Sequence, residues 1–230
     1  MNTDKIIPFA LRTIELETSA VSGLKSFIDA DFVRAVSVVA ATRGRLIVSG
    51  IGKSAIIAQK IVATLNSTGT PAVFMHAADA IHGDLGMIQT DDVVLVISKS
   101  GNSPEIKVLA PLVKNFGNTL IGMVGNTESF LAQNSDIVLN TTVEQEACPI
   151  NLAPTSSTTA QMVMGDALAV CLMEIKEFSS RDFAKYHPGG ALGKKLYLRV
   201  EELTAQNAKP KVLPTATTKD VIIQITQKRL

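Results

Sequence analysis

The stretch LIVSGIGKSA (residues 46–55) joins an apolar run, two glycines and the start of a helical pattern. A strand, a glycine turn and a helix in this order are typical of an α/β fold, and the turn fits two nucleotide-binding motifs. A P-loop needs a glycine five residues before Gly52, but position 47 is an isoleucine inside the apolar run. The dinucleotide fingerprint G-x-G-x-x-A is formally present, with Asp79 as its ribose ligand, but it is a weak signal on its own.

Further apolar runs repeat this scheme along the chain. The runs are RLIVSG (45–50), PAVFMH (71–76), DVVLVIS (92–98), TLIGMVG (119–125) and a weaker fifth, DIVLN (136–140). Helical patterns over 53–67 and 104–116 separate them, and residues 5–40 predict two more helices with a break at Asp29 and Asp31. Buried strands alternating with helices predict an α/β fold with a doubly wound parallel sheet, whose ligands bind at the carboxyl ends of the strands.

The stretch TSSTTAQMVMGDALAVCLMEIKEF (155–178) predicts a long helix that is apolar nearly all round. Such a helix is buried either in a core or in a subunit interface, and because other helices already cover the sheet, we favour the interface. After Leu203 the chain becomes polar and proline-bearing, which is typical of a linker, and the last residues, KDVIIQITQKRL (219–230), are too few for a domain. The prediction is one domain over 1–203, followed by a linker and the start of a truncated module over 204–230.

Bulk composition excludes several classes of protein. A hydrophobic fraction of 46% predicts a sizeable core, and a formal net charge of +1 gives no general attraction to nucleic acid or an anionic membrane. Cys148 and Cys171 supply neither a disulfide framework nor a metal-site spacing. The N terminus lacks the apolar core of a signal peptide, and no apolar run approaches the ~20 residues of a membrane span. We therefore expect a soluble cytoplasmic protein with reduced thiols.

Hydroxyl-rich loops stand at three of the predicted strand-to-helix turns. Each places small hydroxyl side chains beside the backbone N–H groups of a helix N terminus, where the helix dipole favours an anion. One such loop is most simply a helix cap, whereas three at one edge of a sheet predict a single phosphate group on a small molecule. The hydroxyl groups belong to Ser54 in SGIGKS (49–54), to Ser98, Ser100 and Ser103 in ISKSGNSPE (97–105), and to Thr155, Ser156, Ser157 and Thr158 in PTSSTT (154–159).

Five motifs are more specific: SGIGKS, ISKSGNSPEI, HGDLGM, EACPINLAPTSSTTAQMVMGDALAV and FAKYHPGGALGKKL. Together, over residues 5–203, they resemble the sugar isomerase (SIS) domain of bacterial D-arabinose 5-phosphate isomerases. The resemblance implies a flavodoxin-like five-stranded parallel sheet, a homotetramer, and interconversion of D-ribulose 5-phosphate with D-arabinose 5-phosphate. That reaction feeds 3-deoxy-D-manno-octulosonate (Kdo), a sugar of lipopolysaccharide and some capsules. Full-length relatives usually continue into paired CBS modules, and residues 219–230 look like the opening of the first.

Aldose–ketose isomerisation moves a proton between C1 and C2 of an open-chain sugar through an enediol. It needs a base, a donor beside the developing oxyanion and groups that bind the phosphate, but neither a redox cofactor nor a metal.

Glu105, at the start of the helix after the third strand, is the candidate base; the alternative is an acidic residue that the helix dipole favours. Lys53, directly after the glycine turn, is a candidate to polarise the carbonyl or hold the phosphate; the alternative is an exposed surface lysine.

Two histidines in glycine-flanked loops complete the candidate set. His82 in AIHGDLG and His187 in YHPGG suit ring opening and proton shuttling because histidine titrates near neutral pH, although each alone is most simply a turn residue. His76, at the end of the second strand, is expected to be structural. The resemblance places Lys53, His82, Glu105 and His187 at positions considered catalytic in the family. It also shows two departures in the second loop, where Lys99 and Asn102 replace other polar residues of many relatives.

The main rival is a SIS domain that senses a sugar phosphate without transforming it. Such a regulator normally carries a DNA-binding domain, and this sequence has no basic helix-turn-helix pattern. A sensor also has no need for Lys53, Glu105 and two loop histidines. We therefore expect a pentose 5-phosphate as the small-molecule partner, and neither nucleic acid nor a membrane.

Overall fold

A computed structural model describes residues 3–190, 193, 196 and 211–227. Its centre is a five-stranded sheet in which every pair of neighbouring strands is parallel. The strands are β1 (Leu46–Gly50), β2 (Ala72–His76), β3 (Val93–Ser98), β4 (Leu120–Val124) and β5 (Ile137–Asn140). Each coincides with a predicted apolar run. The strand order β2-β1-β3-β4-β5 is the flavodoxin-like order, which confirms the predicted fold class.

Helices cover both faces of this sheet. They are α1 (Ile6–Gly23), α2 (Ala30–Ala41), α3 (Lys53–Ser67), α4 (Ala77–Ala80), α5 (Pro104–Asn115), α6 (Phe130–Asn134) and α7 (Ser156–Ile175), with short 3-10 turns at Thr3–Lys5, Leu24–Phe27 and Asp84–Met87. The two helices predicted over 5–40 are confirmed, and the Asp29 carboxylate caps the second by accepting the N–H groups of Asp31 and Phe32. One apolar cluster contains side chains of α2, α3 and α7, and the other contains side chains of α4, α5 and α6.

The central strands read as continuous apolar runs because both of their faces are covered. Every residue of β1, β3 and β4 is buried. Along β1, Leu46 and Val48 join one cluster and Ile47 joins the other, as the alternation of side chains along a strand requires. The two-sided burial leaves the strand ends as the place for polar chemistry.

Helix α7 belongs to the core of its own chain, which the sequence pattern does not predict. Its buried face packs against α1, α2 and α3. Gly165 permits the close approach to α3, because a side-chain carbon there would overlap Ile61. Among the described residues α7 is also the one helix long and apolar enough to cross a membrane, a test that the core helices of soluble proteins pass as well. Its outer side exposes Val170 and Ile175, so the predicted subunit interface remains a prediction for that side.

The chain divides into two compact units, Met1–Ser179 and Ser180–Leu230. The first contains the whole sheet. The second contains α8 (Ser180–Tyr186) and α9 (Thr218–Gln227) among its described residues. The predicted domain boundary at residues 203 and 204 lies outside the described residues, and the assignment stays a prediction.

Candidate active site at the carboxyl edge of the sheet

The carboxyl ends of β1 and β3 mark the point where the sheet changes its winding direction. These strands are neighbours, with Gly50 paired to Ile97, but the chain leaves β1 toward β2 and leaves β3 toward β4. The loops after the two strands therefore diverge, and the crevice between them is the usual ligand position in an open α/β sheet. Two of the predicted hydroxyl-rich loops are these loops.

A glycine turn connects β1 to α3. Gly52 adopts a φ of 58°, in the left-handed region that glycine tolerates best. The turn makes Lys53 the first residue of α3, where it is exposed. The Ser54 hydroxyl is used inside the chain, because it donates to Oε1 of the buried Gln161 of α7 at 3.2 Å. The phosphate contact of Ser54 stays a prediction. Gln161, which lies inside one of the five motifs, is a polar neighbour for which the sequence pattern predicted no role.

The second loop, residues 98–103, is called the serine loop below. It turns at Gly101, which has a φ of 63°. The hydroxyl oxygens of Ser98 and Ser100 accept the N–H groups of Gly101 at 3.1 Å and Asn102 at 3.3 Å, which leaves each hydroxyl proton available. Ser103 is the N-cap of α5, yet its side chain makes no capping bond and its buried Oγ has no partner among the described residues. Since an N-cap serine normally bonds the helix, Ser103 presents a free hydroxyl at the α5 terminus.

Buried polar atoms without a partner concentrate at this edge of the sheet. Among the described residues they are Ser49 Oγ, His76 Nδ1, Ser103 Oγ and Ser156 Oγ. Ser49 and His76 lie at the ends of β1 and β2, and Ser103 and Ser156 lie at the N termini of α5 and α7. The His76 Nδ1 stands 3.6 Å from Oδ2 of Asp79, within ion-pair range but too far for a hydrogen bond. Because buried polar groups nearly always have partners, the clustering marks this edge as a ligand site.

Lys53 and Glu105 open the two helices that flank the crevice. Lys53 is the first residue of α3, and the half-buried Glu105 is the second residue of α5, two positions after Ser103. A cation and a carboxylate therefore stand at the helix termini on either side of the boundary between β1 and β3. The roles of Lys53 as the polarising group and of Glu105 as the base stay predictions.

A buried carboxylate occupies the N terminus of α7. It belongs to Glu146, the first residue of the motif EACPINLAPTSSTTAQMVMGDALAV, and the sequence pattern predicted no role for it. The Glu146 side chain is fully buried. Its Oε2 accepts the N–H groups of Thr155 at 2.8 Å and Ser157 at 3.1 Å. Its Oε1 accepts the Ser157 hydroxyl at 2.5 Å and the Lys99 ammonium at 2.6 Å. A helix N terminus favours an anion, and here the chain supplies that anion itself.

These contacts keep Glu146 charged. Burial disfavours the ionised form, but hydrogen bonds from Lys99, Ser157 and Thr155 outweigh it and lower the pKa of Glu146 from 4.5 to about 2. The carboxylate is ionised at neutral pH and is a weak proton acceptor, since an effective general base has a pKa nearer the working pH. Glu105 therefore remains the candidate base, and Glu146 has an electrostatic role.

The third hydroxyl-rich loop consequently serves the chain's own carboxylate. The hydroxyl of Thr155 lies 3.2 Å from Oε2 of Glu146, the hydroxyl of Ser157 donates to Oε1, and the hydroxyl of Thr158 donates to the carbonyl of Thr155 at 2.9 Å. Ser156 alone of the four predicted ligands keeps a buried hydroxyl without a protein partner. Phosphate binding by Thr155, Ser157 and Thr158 stays a prediction; in the structure the first two bond Glu146 and the third bonds the Thr155 carbonyl.

The two predicted catalytic histidines lie in different units. His82 is exposed in the turn between α4 and the 3-10 turn Asp84–Met87, and its backbone N–H bonds the carbonyl of Asp79 at 2.9 Å. His187 belongs to the second unit, where its Nδ1 lies 2.8 Å from the carbonyl oxygen of Phe183 and its ring stacks on the Phe183 ring at 3.8 Å between centroids. The roles of both histidines stay predictions.

One sizeable cavity lies far from this chemistry. It has a volume of about 630 Å³ and opens at the amino edge of the sheet, beside Arg34, Lys114 and Asp136. Lys114 is paired with the Asp136 carboxylate there. None of the predicted site residues lines this cavity, so the carboxyl-edge crevice remains the candidate site.

Comparison with known proteins gives the family. Residues 41–171 match the family model described as the SIS domain. The chain belongs to the SIS-domain family. This SIS protein is 49% identical over 234 residues to arabinose 5-phosphate isomerase KdsD of Pseudomonas aeruginosa. The alignment covers 100% of this chain and 72% of that protein. It is 44% identical over 218 residues to the protein of the same name from Escherichia coli K12, over 94% of this chain and 66% of that one.

Solved structures show the same SIS fold. The Escherichia coli CFT073 protein c3406, determined in complex with arabinose 5-phosphate, superposes with a TM-score of 0.76 at 40% identity and covers 82% of this chain and 100% of that one. The Vibrio vulnificus NanR protein complexed with ManNAc-6P superposes with a TM-score of 0.64 at 16% identity, over 86% of this chain and 69% of that one. At 16% identity the likeness concerns the fold alone.

Proposed function

We propose that this chain is an arabinose 5-phosphate isomerase, which interconverts D-ribulose 5-phosphate and D-arabinose 5-phosphate. The observation that carries the proposal is 49% identity along the full chain to an enzyme of that name. A neighbour at 40% identity, solved with arabinose 5-phosphate, supports the ligand class. The crevice supplies the kinds of group that the reaction needs: a helix terminus for the phosphate, a carboxylate and a cation.

In this scheme Glu105 and Lys53 act on the reacting carbons. Glu105 takes the proton from the carbon next to the carbonyl, and negative charge develops on the carbonyl oxygen. The Lys53 ammonium stabilises that charge in the enediolate, and Glu105 returns the proton to the neighbouring carbon. His82 and His187 are proposed to open the sugar ring and to move protons between its oxygens. No step needs an electron acceptor, because the oxidation at one carbon balances the reduction at the other.

The phosphate is proposed to bind at the N terminus of α5. The free N–H groups of the first helical turn and the hydroxyl groups of the serine loop provide donors of the kind that hold phosphate at helix termini. Ser103 contributes a buried hydroxyl without a protein partner, and Ser98 and Ser100 keep their protons for a ligand. Ser156 is the further candidate from the α7 terminus.

Replacing Ser103 with alanine is expected to raise KM for arabinose 5-phosphate by about ten-fold or more, since a hydrogen bond to a charged group contributes about 1.5–3 kcal/mol. Unfolding stability is expected to change by less than about 0.5 kcal/mol, because the Ser103 Oγ bonds nothing in the chain. Ser98→Ala should raise KM as well, but it also deletes the bond to Gly101 and should therefore lower stability, unlike Ser103→Ala. A Ser103→Ala enzyme with an unchanged KM would contradict the phosphate site.

The reaction itself is tested by incubating the chain with ribulose 5-phosphate and identifying the aldose. We expect arabinose 5-phosphate, with activity retained after dialysis against EDTA. Ribose 5-phosphate as the product, or activity only with an added divalent ion, would refute the assignment. Binding of the pentose phosphate without turnover would favour the alternative, a SIS domain that senses a sugar phosphate without transforming it.

A homo-oligomer, expected to be a tetramer, is part of the same proposal. Five large apolar side chains near the start of α1 are each more than half exposed: Ile6, Ile7, Phe9, Leu11 and Ile14. Burial of such a surface by another subunit is favourable because it removes apolar area from water. Sedimentation at micromolar concentration is expected to show a species several times heavier than the 24.4 kDa chain. A stable monomer would contradict the assembly.

The pathway, location and domain plan follow from the same assignment. We propose a cytoplasmic enzyme that supplies arabinose 5-phosphate for Kdo, and hence for lipopolysaccharide or capsule. We also propose that residues 1–203 form the isomerase domain and that residues 204–230 lead into a CBS-like module. The support for the pathway is the resemblance to enzymes named arabinose 5-phosphate isomerase.

A further inference from the structure

Lys99 is the one cation of the serine loop. Its side chain is 44% exposed, but its Nζ lies 2.6 Å from Oε1 of the fully buried Glu146. The backbone of the same residue is fixed, since its carbonyl accepts the N–H of Gly125 at the end of β4 at 3.0 Å. Lys99 therefore links the loop proposed to hold the phosphate to the carboxylate at the N terminus of α7.

Glu146 creates an electrostatic problem for that loop. It places a permanent negative charge within the length of one lysine side chain of the serine loop, and a pentose 5-phosphate brings up to two more negative charges. Like charges this close disfavour each other strongly where water is partly excluded. The N terminus of α7 offers only about half a positive charge, so it does not cancel the carboxylate.

We propose that Lys99 is a positioning residue for phosphate binding: it cancels the charge of Glu146 and thereby lets the serine loop accept a phosphate ester. The inference rests on the proposed function, in which the serine loop holds the phosphate. Lys99 acts on the ligand through Glu146, and it gives this site a charge balance that serine hydroxyls alone do not provide.

A merely structural ion pair would behave differently. Breaking it would loosen the connection between the serine loop and α7, and removing Glu146 as well would not restore what was lost. Charge cancellation makes the opposite prediction, because a second change that removes the negative charge also removes the repulsion. The coupling between the two substitutions separates the two roles.

The test is a double-mutant cycle on the full chain: wild type, Lys99→Met, Glu146→Gln and the double variant. Calorimetry gives Kd for inorganic phosphate and for arabinose 5-phosphate. We expect Lys99→Met to weaken both by about ten-fold or more, whereas Glu146→Gln and the double variant should both bind within about three-fold of wild type. Lys99→Arg should bind within about three-fold of wild type. Lys107→Met, which changes an exposed lysine of α5, is the matched control and should bind as wild type does.

Three results would overturn the inference: Lys99→Met that binds phosphate normally, a double variant as weak as Lys99→Met, or a wild-type chain that binds neither ligand. The isomerase assay is independent. A chain that binds inorganic phosphate without turning over the sugar removes the proposed function, while the cycle still decides the role of Lys99. Thermal unfolding of each variant checks its fold, and Lys99→Gln replaces Lys99→Met in the cycle if the methionine variant does not fold.

Discussion

Replacing Glu105 with glutamine is expected to lower kcat by about 100- to 10,000-fold, the usual cost of losing a general base, while KM stays nearly unchanged. Glutamine keeps the size and much of the hydrogen bonding of glutamate but cannot accept the proton. Glu105 is the second residue of α5 and is half-buried. Replacing its carboxylate by the glutamine amide therefore leaves the helix terminus otherwise intact. Steady-state kinetics in both directions measure the effect.

Proton exchange gives a second and independent measurement of the same step. In deuterated water the wild-type enzyme should exchange the C1 proton of the substrate for solvent deuterium. In Glu105→Gln the rate of this exchange should fall in parallel with kcat. Glu128→Gln, at an exposed position in the turn before α6, is the control and should behave as wild type. Exchange at a near wild-type rate in Glu105→Gln would move the base elsewhere, and His187 would be the next residue to test.

Replacing Glu146 with glutamine is expected to lower the free energy of unfolding at neutral pH by about 2–3 kcal/mol. The folded chain holds the pKa of Glu146 at about 2, below the 4.5 of an unperturbed carboxyl. A depressed folded pKa contributes stability above the unfolded pKa, and that contribution is lost as the pH falls from about 4.5 toward 2. Urea unfolding of wild type and variant should therefore differ most at neutral pH and converge toward about pH 2.

Glu144→Gln is the matched control for this experiment. Glu144 lies two residues away and is exposed, so its replacement should change the unfolding free energy by less than about 0.5 kcal/mol at any pH. A Glu146→Gln chain whose stability matches wild type at neutral pH would show that the contacts with Lys99 and the α7 terminus contribute nothing net. A difference that grows toward acid pH would have the wrong sign for this mechanism.

The sheet was predictable because its strands are buried on both faces. Such strands appear as short continuous apolar runs between helical patterns, and Gly52 after β1 shows where α3 begins. The same logic fails for α7, because an all-apolar helix has the same pattern in a core and in an interface. The structure shows that one side of it faces α3, where Gly165 packs against Ile61 and Gln161 accepts the Ser54 hydroxyl.

The candidate site residues were predictable where they directly follow a strand in the sequence. Lys53, Ser103 and Glu105 stand at helix starts directly after strands, and a parallel sheet brings those starts to one edge. Glu146 begins the motif EACPINLAPTSSTTAQMVMGDALAV, but it lies nine positions before Thr155, and the residues alone do not show that its side chain returns to the start of α7. A helix start rich in hydroxyl groups predicts an anion, but the residues alone do not say whether the anion is a ligand or a side chain.

The carboxylate at the α7 terminus also has a consequence for sugars with two phosphates. Glu146 occupies the N–H groups of Thr155 and Ser157, so those donors are not free for a ligand. If the N terminus of α5 holds one phosphate, as proposed, a second phosphate that reached toward α7 would find those donors already occupied. We therefore expect a sugar monophosphate to bind more tightly than the corresponding bisphosphate.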